Sequence, residues 1–307
     1  MILSCGEALI DLVPLGEGYR PYPGGSPYNI AIALGRLETP VGFLGKISTD
    51  FFGEMLINNL IHNQVDTRYI IRADGLTTLG IVSLPSQHQE PQFLFYTNNS
   101  VDRNLTITEL PTQFPSEVKV LHFGSISLVL EPGATALEQL MQRESKHRFI
   151  SLDPNIRPHI ITDKVAYSQR LENWLKSVDI IRVSVADLNW LYPKADPETI
   201  IKQWLNLGPI LGILTLGAQG AKAYTRSGVA VLASVPAIQV VDTVGAGDSF
   251  LAAVLAYLNE QNLLTTRTQL MNISVDQLTA CLNYASRAAA INCSRAGANP
   301  ARKSELI

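Results

Sequence analysis

Val241-Asp242-Thr243-Val244-Gly245-Ala246-Gly247-Asp248-Ser249-Phe250 sets two glycines around an alanine, an acid directly behind them, and then an apolar run to Leu258. Small residues let backbone N–H groups converge on an anion. A helix starting there adds free N–H groups and a favourable dipole. An acid at such a place would repel a bound phosphate. It makes chemical sense if Asp248 takes a proton from an alcohol that attacks that phosphate. Asp is also a favoured helix N-cap for stability alone. The following helix has no polar face, which favours the chemical reading.

Working outward, the whole chain has the composition of a globular α/β protein. It has 307 residues, 46% of them hydrophobic, enough for one large domain or two small ones. A net charge of −3 leaves no basic footprint for nucleic acid, and no Lys/Arg cluster suggests a membrane surface. Cys5, Cys281 and Cys293 are odd in number and far apart, which argues against a disulfide framework and fits a reducing cytoplasm. Met1–Val13 is apolar but lacks a basic flank and carries Glu7 and Asp11, so it reads as a buried strand rather than a signal peptide. No apolar run approaches the length that spans a bilayer.

That first strand should end at Asp11. Residues 16–25 are turn-rich, a helix is expected over 29–37, a strand over 41–46 and a helix over 50–63. The runs 67–72, 77–84 and 92–97 are β-rich, and several alternate apolar with polar residues, the pattern of a sheet with one wet face. They are separated by Ala73-Asp74-Gly75 and by Pro85–Glu90. Together they predict a small β-sheet lid from about 12–24 and 67–105. Beyond Leu105, strands at 118–123, 148–153, 178–183, 210–215 and 221–225 alternate with helices, which predicts a mostly parallel sheet covered on both faces. Ligands in such sheets collect beyond the C-terminal strand ends.

Polar residues at those ends are the site candidates. Asp11 could accept paired hydrogen bonds from neighbouring hydroxyls, or cap a turn. In Gly24-Gly25-Ser26-Pro27-Tyr28-Asn29, Gly25 allows close approach of a ligand and Asn29 offers donors and an acceptor; a glycine turn with Asn near a helix start is the plainer reading. Asp153-Pro154-Asn155-Ile156-Arg157 gathers three hydrogen-bonding types at one strand end, or holds a structural Asp–Arg pair. Ser184 with Asp187 has the spacing of a capping box with the shorter acid. Thr215-Leu216-Gly217-Ala218-Gln219-Gly220 reads by itself as a turn. No P-loop is present: Gly45-Lys46 lacks the upstream glycine and runs into Ile47. Neither a zinc spacing nor a Gly-x-Ser-x-Gly elbow appears. The first strand lacks the Gly-x-Gly-x-x-Gly of a dinucleotide-binding dehydrogenase.

The decapeptide resembles the C-terminal signature of the ribokinase-like (pfkB-type) carbohydrate kinases, and the resemblance extends along nearly the whole chain. Gly6–Asp11, His122-Phe123-Gly124-Ser125-Ile126-Ser127-Leu128 with Glu131-Pro132, and Asp153–Arg157 are similar to the fructokinase branch. The resemblance implies one ribokinase-like domain over 1–307: a Rossmann-like α/β sheet plus the lid, with a homodimer formed through the lid. It implies an ATP-dependent kinase acting on a small sugar, with D-fructose converted to fructose 6-phosphate and 2-keto-3-deoxygluconate as the next acceptor. The alternative from a different class is a sugar-binding regulator without catalysis; such relatives usually lose the base or the anion hole, and Asp248, Gly245 and Gly247 are all present. Asp248 is then the base, Gly245, Ala246 and Gly247 form the anion hole, and Arg157 lies beside the phosphoryl path. Asp11, Gly25, Asn29, Asp153 and Asn155 face the sugar. Ser184, Thr215, Gly217, Gly220 and Asn283 border the nucleotide, with Asn283 near adenine. Asp187 would organise Mg²⁺ through water, and Asp242, Val244, Asn292 and Gly297 would surround a monovalent cation such as K⁺. Ser26 stands where ribokinases have lysine, which counts against ribose. Thr97 stands where fructokinases often have arginine, and Asn99 where they have proline.

Overall fold

Met1–Val13 does not run as one strand. The structure, a computed structural model, describes residues 1–83 and 92–306. In it Ile2–Cys5 forms β1, the chain turns at Gly6, and Leu9–Leu15 forms β2 in a different sheet. Asp11 is therefore the third residue of a seven-residue strand, not the end of the first. Along the chain follow β3 (Gly18–Gly24), α1 (Ser26–Arg36), β4 (Val41–Ser48), α2 (Phe51–His62), β5 (Ile70–Ala73), β6 (Leu79–Ser83) and β7 (Gln92–Tyr96). The second half comprises β8 (Val120–Gly124), α3 (Gly133–Glu144), β9 (Phe149–Asp153), α4 (Lys164–Leu175), β10 (Ile180–Ser184), α5 (Val185–Leu191), α6 (Pro197–Leu205), β11 (Leu211–Thr215), β12 (Ala221–Thr225), β13 (Ala230–Ala233), α7 (Ala246–Glu260), α8 (Arg267–Met271) and α9 (Val275–Cys293).

Among the described residues the large sheet has nine strands in the order β13-β12-β11-β10-β9-β8-β1-β4-β5. β11 through β5 run parallel, and β12 and β13 turn back antiparallel at one edge. Its central strands are buried on both faces, as parallel strands with helices on each side must be. One apolar layer joins Ile2, Ile30, Leu34 and Ile180 to Phe250, Leu255 and Leu282 under α1, α7 and α9. The opposite layer joins Leu3, Leu121, Leu140, Leu152, Trp174 and Trp204 under α3, α4 and α6.

Among the described residues the small sheet has the order β3-β2-β6-β7 and uses residues 9–24, 79–83 and 92–96. The run 67–72 was expected here, but β5 pairs with β4 at the edge of the large sheet. An edge strand with one covered face carries the same alternation as a strand of a separate half-wet sheet, so the pattern did not separate the two. The turn-rich segment 16–25 contains β3, whose Pro21 and Pro23 are tolerated because β3 is an edge strand. Leu84 and the turn at 85–90 lie outside the described residues.

Most long helices carry a side-chain cap: Asp50 accepts from Gly53 N–H, Asp163 from Val165 and Ala166 N–H, and Ser274 from Gln277 N–H. The two that start at the centre of the molecule do not. α1 begins at Gly25 and α7 at Gly245, glycines with no side chain to cap with. The Ser26 N–H of α1 is taken by Glu7 and the Ala246 N–H of α7 by the Thr243 carbonyl, while the Gly247 and Asp248 N–H groups are left for something else.

Candidate active site

Two cavities open beyond the C-terminal ends of β1, β8, β9, β10 and β11. The first, of about 400 Å³, is lined by Glu7, Asp11, Gly25, Ser26, Asn29, Asn155, Arg157, Asp187 and the turn Gly245–Asp248. The second, of about 720 Å³, is lined by Ser184, Thr215, Leu216, Gly217, Gly220, the segment 235–238, Phe250, and Ser286, Ala289, Ala290 and Cys293 of α9. They share Arg182, Ser184, Ala186, Thr243, Ala246 and Gly247. The glycine turn is thus the wall common to both.

Asp11 enters the first cavity from the small sheet. The pairings Asp11↔Tyr22, Asp11↔Gly80 and Gly80↔Phe95 set one row across four strands. Glycines stand at two neighbouring positions because the carboxylate occupies the space a side chain would need. A Cβ on Gly24 would lie 2.2 Å from Asp11 Oδ2, and one on Gly80 2.5 Å from Oδ1. Burial raises the Asp11 carboxyl to about 7; Arg157 pulls it down, while Asp248 and Glu7 push it up. Glu7, buried behind it, is also raised to about 7 by desolvation. Glu7 accepts from Ser26 N–H at 3.1 Å and Ser127 N–H at 3.3 Å, tying the start of α1 to the turn after β8.

Asp153 does not do what its motif suggested. It is fully buried, does not line the cavity, and accepts from Arg182 Nη1 at 2.8 Å and Asn155 N–H at 3.1 Å. Its structural partner is Arg182, not Arg157. Arg157 instead donates to Asn155 Oδ1 at 2.5 Å and to the Asn155 and Ile156 carbonyls, and faces the cavity beside Asn155. Arg182 also donates to Thr215 Oγ1 at 2.7 Å. Its guanidinium lies directly under the glycine turn: a Cβ on Gly247 would meet both Nη atoms at 2.8 Å. A buried cation thus backs the turn that would hold an anion.

Asp248 sits in the first turn of α7 but caps nothing. Its Oδ1 accepts from Ser26 Oγ at 2.6 Å and its Oδ2 from Asn29 Nδ2 at 2.9 Å. The N-cap is Gly245, at φ 75. Burial raises the Asp248 carboxyl, opposed by the Ser26 and Asn29 bonds and by Arg157 and Arg182. A buried carboxylate next to free helix N–H groups, at the seam of two cavities, can take a proton while those N–H groups and Arg182 face developing negative charge.

The second cavity brings together Ser184, Thr215, Gly217 and Gly220. It does not include Asn283, which is exposed on α9 one turn before Ser286, the first α9 residue on the wall. Asp187 is spent largely as a cap: Oδ2 accepts from Ser184 N–H and Oγ, and Oδ1 from Ile156 N–H at 2.9 Å. What remains of its lone pairs fits a water-mediated contact to a cation and no direct one. Beside the turn, Asp242 accepts from Val244 N–H at 3.0 Å and Gly297 N–H at 2.8 Å, and Asn292 donates to the Val244 carbonyl at 2.8 Å. Asn292 is fully buried and its Oδ1 has no hydrogen-bond partner, an oxygen that a monovalent cation would satisfy. No cluster of three His, Cys, Asp or Glu suited to a metal occurs among the described residues.

Sequence reasoning gave no site role to Glu7, Arg182, Thr243 or the α9 wall, and read Ser26 only as counting against ribose. Glu7 lay inside a quoted motif. Arg182 was hidden because an arginine two residues before a strand end carries no pattern of its own.

The fold and the shared glycine turn define a kinase that phosphorylates a small hydroxylated molecule. The model of the pfkB family carbohydrate kinases matches residues 1–304, and the chain belongs to that family. It is 41% identical to a fructokinase of Rhizobium leguminosarum bv. trifolii over 87% of this chain and 82% of that one. It is 34% identical to fructokinase-1 of Zea mays over 99% of this chain and 95% of that one. The crystal structure of Xylella fastidiosa fructokinase with bound ATP matches with a TM-score of 0.89 at 27% identity, covering 99% of this chain and 96% of that one. The ribokinase-like fold expected from the sequence is the fold found.

Proposed function

We propose that this protein transfers the γ-phosphoryl group of ATP to a primary hydroxyl of a monosaccharide, with D-fructose as acceptor and fructose 6-phosphate as product. One observation carries the reading. Asp248, buried and uninvolved in capping, lines the polar cavity directly after Ala246 and Gly247, which that cavity shares with the mainly apolar one. The sugar lies in the polar cavity against Asp11, Gly25, Asn29, Asn155 and Arg157. ATP lies in the other against Ser184, Thr215, Gly217 and Gly220. The sugar hydroxyl loses its proton to Asp248 as its oxygen bonds to the γ-phosphorus. The bond to the β–γ bridging oxygen breaks and ADP leaves with that electron pair. The N–H groups of Gly245, Gly247 and Asp248 face the charge that develops, while the Ala246 N–H is turned to the Thr243 carbonyl at 3.2 Å. Mg²⁺ bound with the nucleotide would supply charge neutralisation, and Asp187 is the residue that would hold it through water. Asp242, Val244, Asn292 and Gly297 suit K⁺ beside the turn. Fructokinase relatives at 41% and 34% identity support fructose as the acceptor.

The small sheet acts as the lid over the sugar. Its outer side, with Phe51 of α2, leaves Phe51, Leu76, Leu94 and Tyr96 more than half exposed, which supports a homodimer formed through the lid. Cys5, Cys281 and Cys293 are free thiols, which supports a reducing, cytoplasmic setting; no helix among the described residues is long and apolar enough to cross a membrane. ADP release measured with and without D-fructose tests the activity. Release should require the sugar and match fructose 6-phosphate formed. Release that ignores fructose would contradict the reading.

A further inference from the structure

Ser26 opens α1 and makes two bonds that point in different directions. Its N–H donates to Glu7 Oε1 at 3.1 Å, and its hydroxyl donates to Asp248 Oδ1 at 2.6 Å. Asn29, one helical turn on, donates to the other oxygen of Asp248 at 2.9 Å. Each oxygen of the carboxylate therefore carries one bond from the first turn of α1, and the pair fixes its plane. Ser26 is 6% exposed, and Glu7 is itself pinned by Ser127 N–H, so the serine cannot follow a carboxylate that swings away.

We infer that Ser26 is a positioning residue for the proton transfer: it locks the rotamer of Asp248 and keeps it ionised until the sugar hydroxyl arrives. The inference rests on the reading of Asp248 as the base. Asn29 also lines the sugar cavity. If its amide turns to the sugar, Ser26 is left as the side-chain donor that still holds the base. The charges around Asp248 do not make the hydroxyl redundant. Arg157 beyond β9 and Arg182 of β10 favour the ionised form. Asp11 of β2, Asp153 of β9, Glu7 beyond β1 and Asp187 of α5 bring carboxyl groups to the same region. Burial adds to their effect, and a short hydrogen bond to the charged form offsets it.

The test uses the full chain with Ser26→Ala, the near-isosteric Ser26→Cys, and Ser26→Thr, which restores a hydroxyl. In ¹³C-aspartate-labelled protein without substrates, the Asp248 carboxyl is followed by NMR against pH, with Asp248→Asn assigning the signal. Ser26→Ala and Ser26→Cys should move its midpoint up by about one pH unit. They should shift the acid limb of kcat for fructose in the same direction and lower kcat at neutral pH about tenfold. The fructose KM should stay within about twofold, since uniform binding is untouched, and Ser26→Thr should restore the midpoint. An unmoved midpoint in Ser26→Ala or Ser26→Cys would overturn the inference. So would a fructose KM raised about tenfold at unchanged kcat, which would make Ser26 a sugar contact. The titration needs no turnover, so it judges the Ser26–Asp248 bond even if the wild type phosphorylates no sugar, an outcome that would remove the kinase reading instead.

Discussion

The two cavities share a wall and are built from opposite materials. The sugar side gathers Glu7, Asp11, Arg157, Arg182 and Asp248, charged side chains drawn from β2, β10, the loops after β1 and β9 and the start of α7. The nucleotide side is mostly backbone and small apolar surface: Leu216, Gly217, Val235, Pro236, Ala237, Ile238, Ala289 and Ala290. A small polyhydroxylated ligand offers little area, so it must be recognised by directional bonds. A nucleotide offers a flat base and a charged tail, which a slot and a turn of N–H groups can hold. Substitutions on the first side should therefore remove single large terms, and those on the second should erode binding gradually.

The largest effect expected is on the shared wall. Asp248→Asn should lower kcat by roughly 10²–10⁴-fold, the range for losing a general base, with little change in fructose KM. Steady-state kinetics on the two proteins decides this. Near-normal turnover would reduce Asp248 to a residue that packs α7 against α1.

On the sugar side, Asp11→Ala should weaken fructose binding by about 2–3 kcal/mol, as for hydrogen bonds to a charged group, while ATP binding measured by calorimetry stays the same. The same carboxylate predicts a pH effect. Its folded pKa is raised to about 7 from 3.8, so fructose affinity should fall as pH drops through about 7 and Asp11 takes up a proton.

The stability side of that shift has the opposite sense. The folded state holds the Asp11 proton more tightly than the unfolded state, so stability falls as pH rises from about 4 to about 7 and stays lower above it. Asp11→Asn should stabilise the free protein by roughly 1–3 kcal/mol at pH 8 and by little near pH 4, read from denaturant unfolding. An equal gain at both pH values would mean that Asp11 is not a buried charge.

The smallest effects belong to the nucleotide side. Ala289→Leu narrows the apolar slot and should weaken ATP about tenfold, about 1.4 kcal/mol, without moving fructose. Asn283→Ala, six residues before it on the same helix, should change neither. A strong loss from Asn283→Ala would put adenine further along α9 than the cavity extends.

The same contrast explains what could be read in the sequence. The strand–helix alternation after Leu105 and the cap-to-cap span of α2 were legible because continuous apolar runs and capping residues are local signals. Asp248 and Asn29 were legible because polar residues close behind a glycine turn at a helix start stand out, and Asp11 and Arg157 through the segments Gly6–Asp11 and Asp153–Arg157 that resemble the fructokinases. Asp153 looked the same and was not, since only the tertiary pairing shows that its carboxylate turns inward to Arg182. The α9 wall was invisible: alanines at 289 and 290 have the composition of any packed helix. β5 was misassigned because half-wet strands look alike whichever sheet they join, and the break after β1 because the apolar run 1–13 continues on both sides of the turn at Gly6.

The central claim is that the polar cavity is shaped for a neutral ketose at the seam with ATP. Its most direct test is kcat/KM measured side by side for D-fructose, 2-keto-3-deoxygluconate and D-ribose with ATP, with the product identified. The account predicts fructose as the best of the three and phosphate on its hydroxymethyl end. A value about tenfold higher (about 1.4 kcal/mol in transition-state binding) for ketodeoxygluconate or ribose would contradict it.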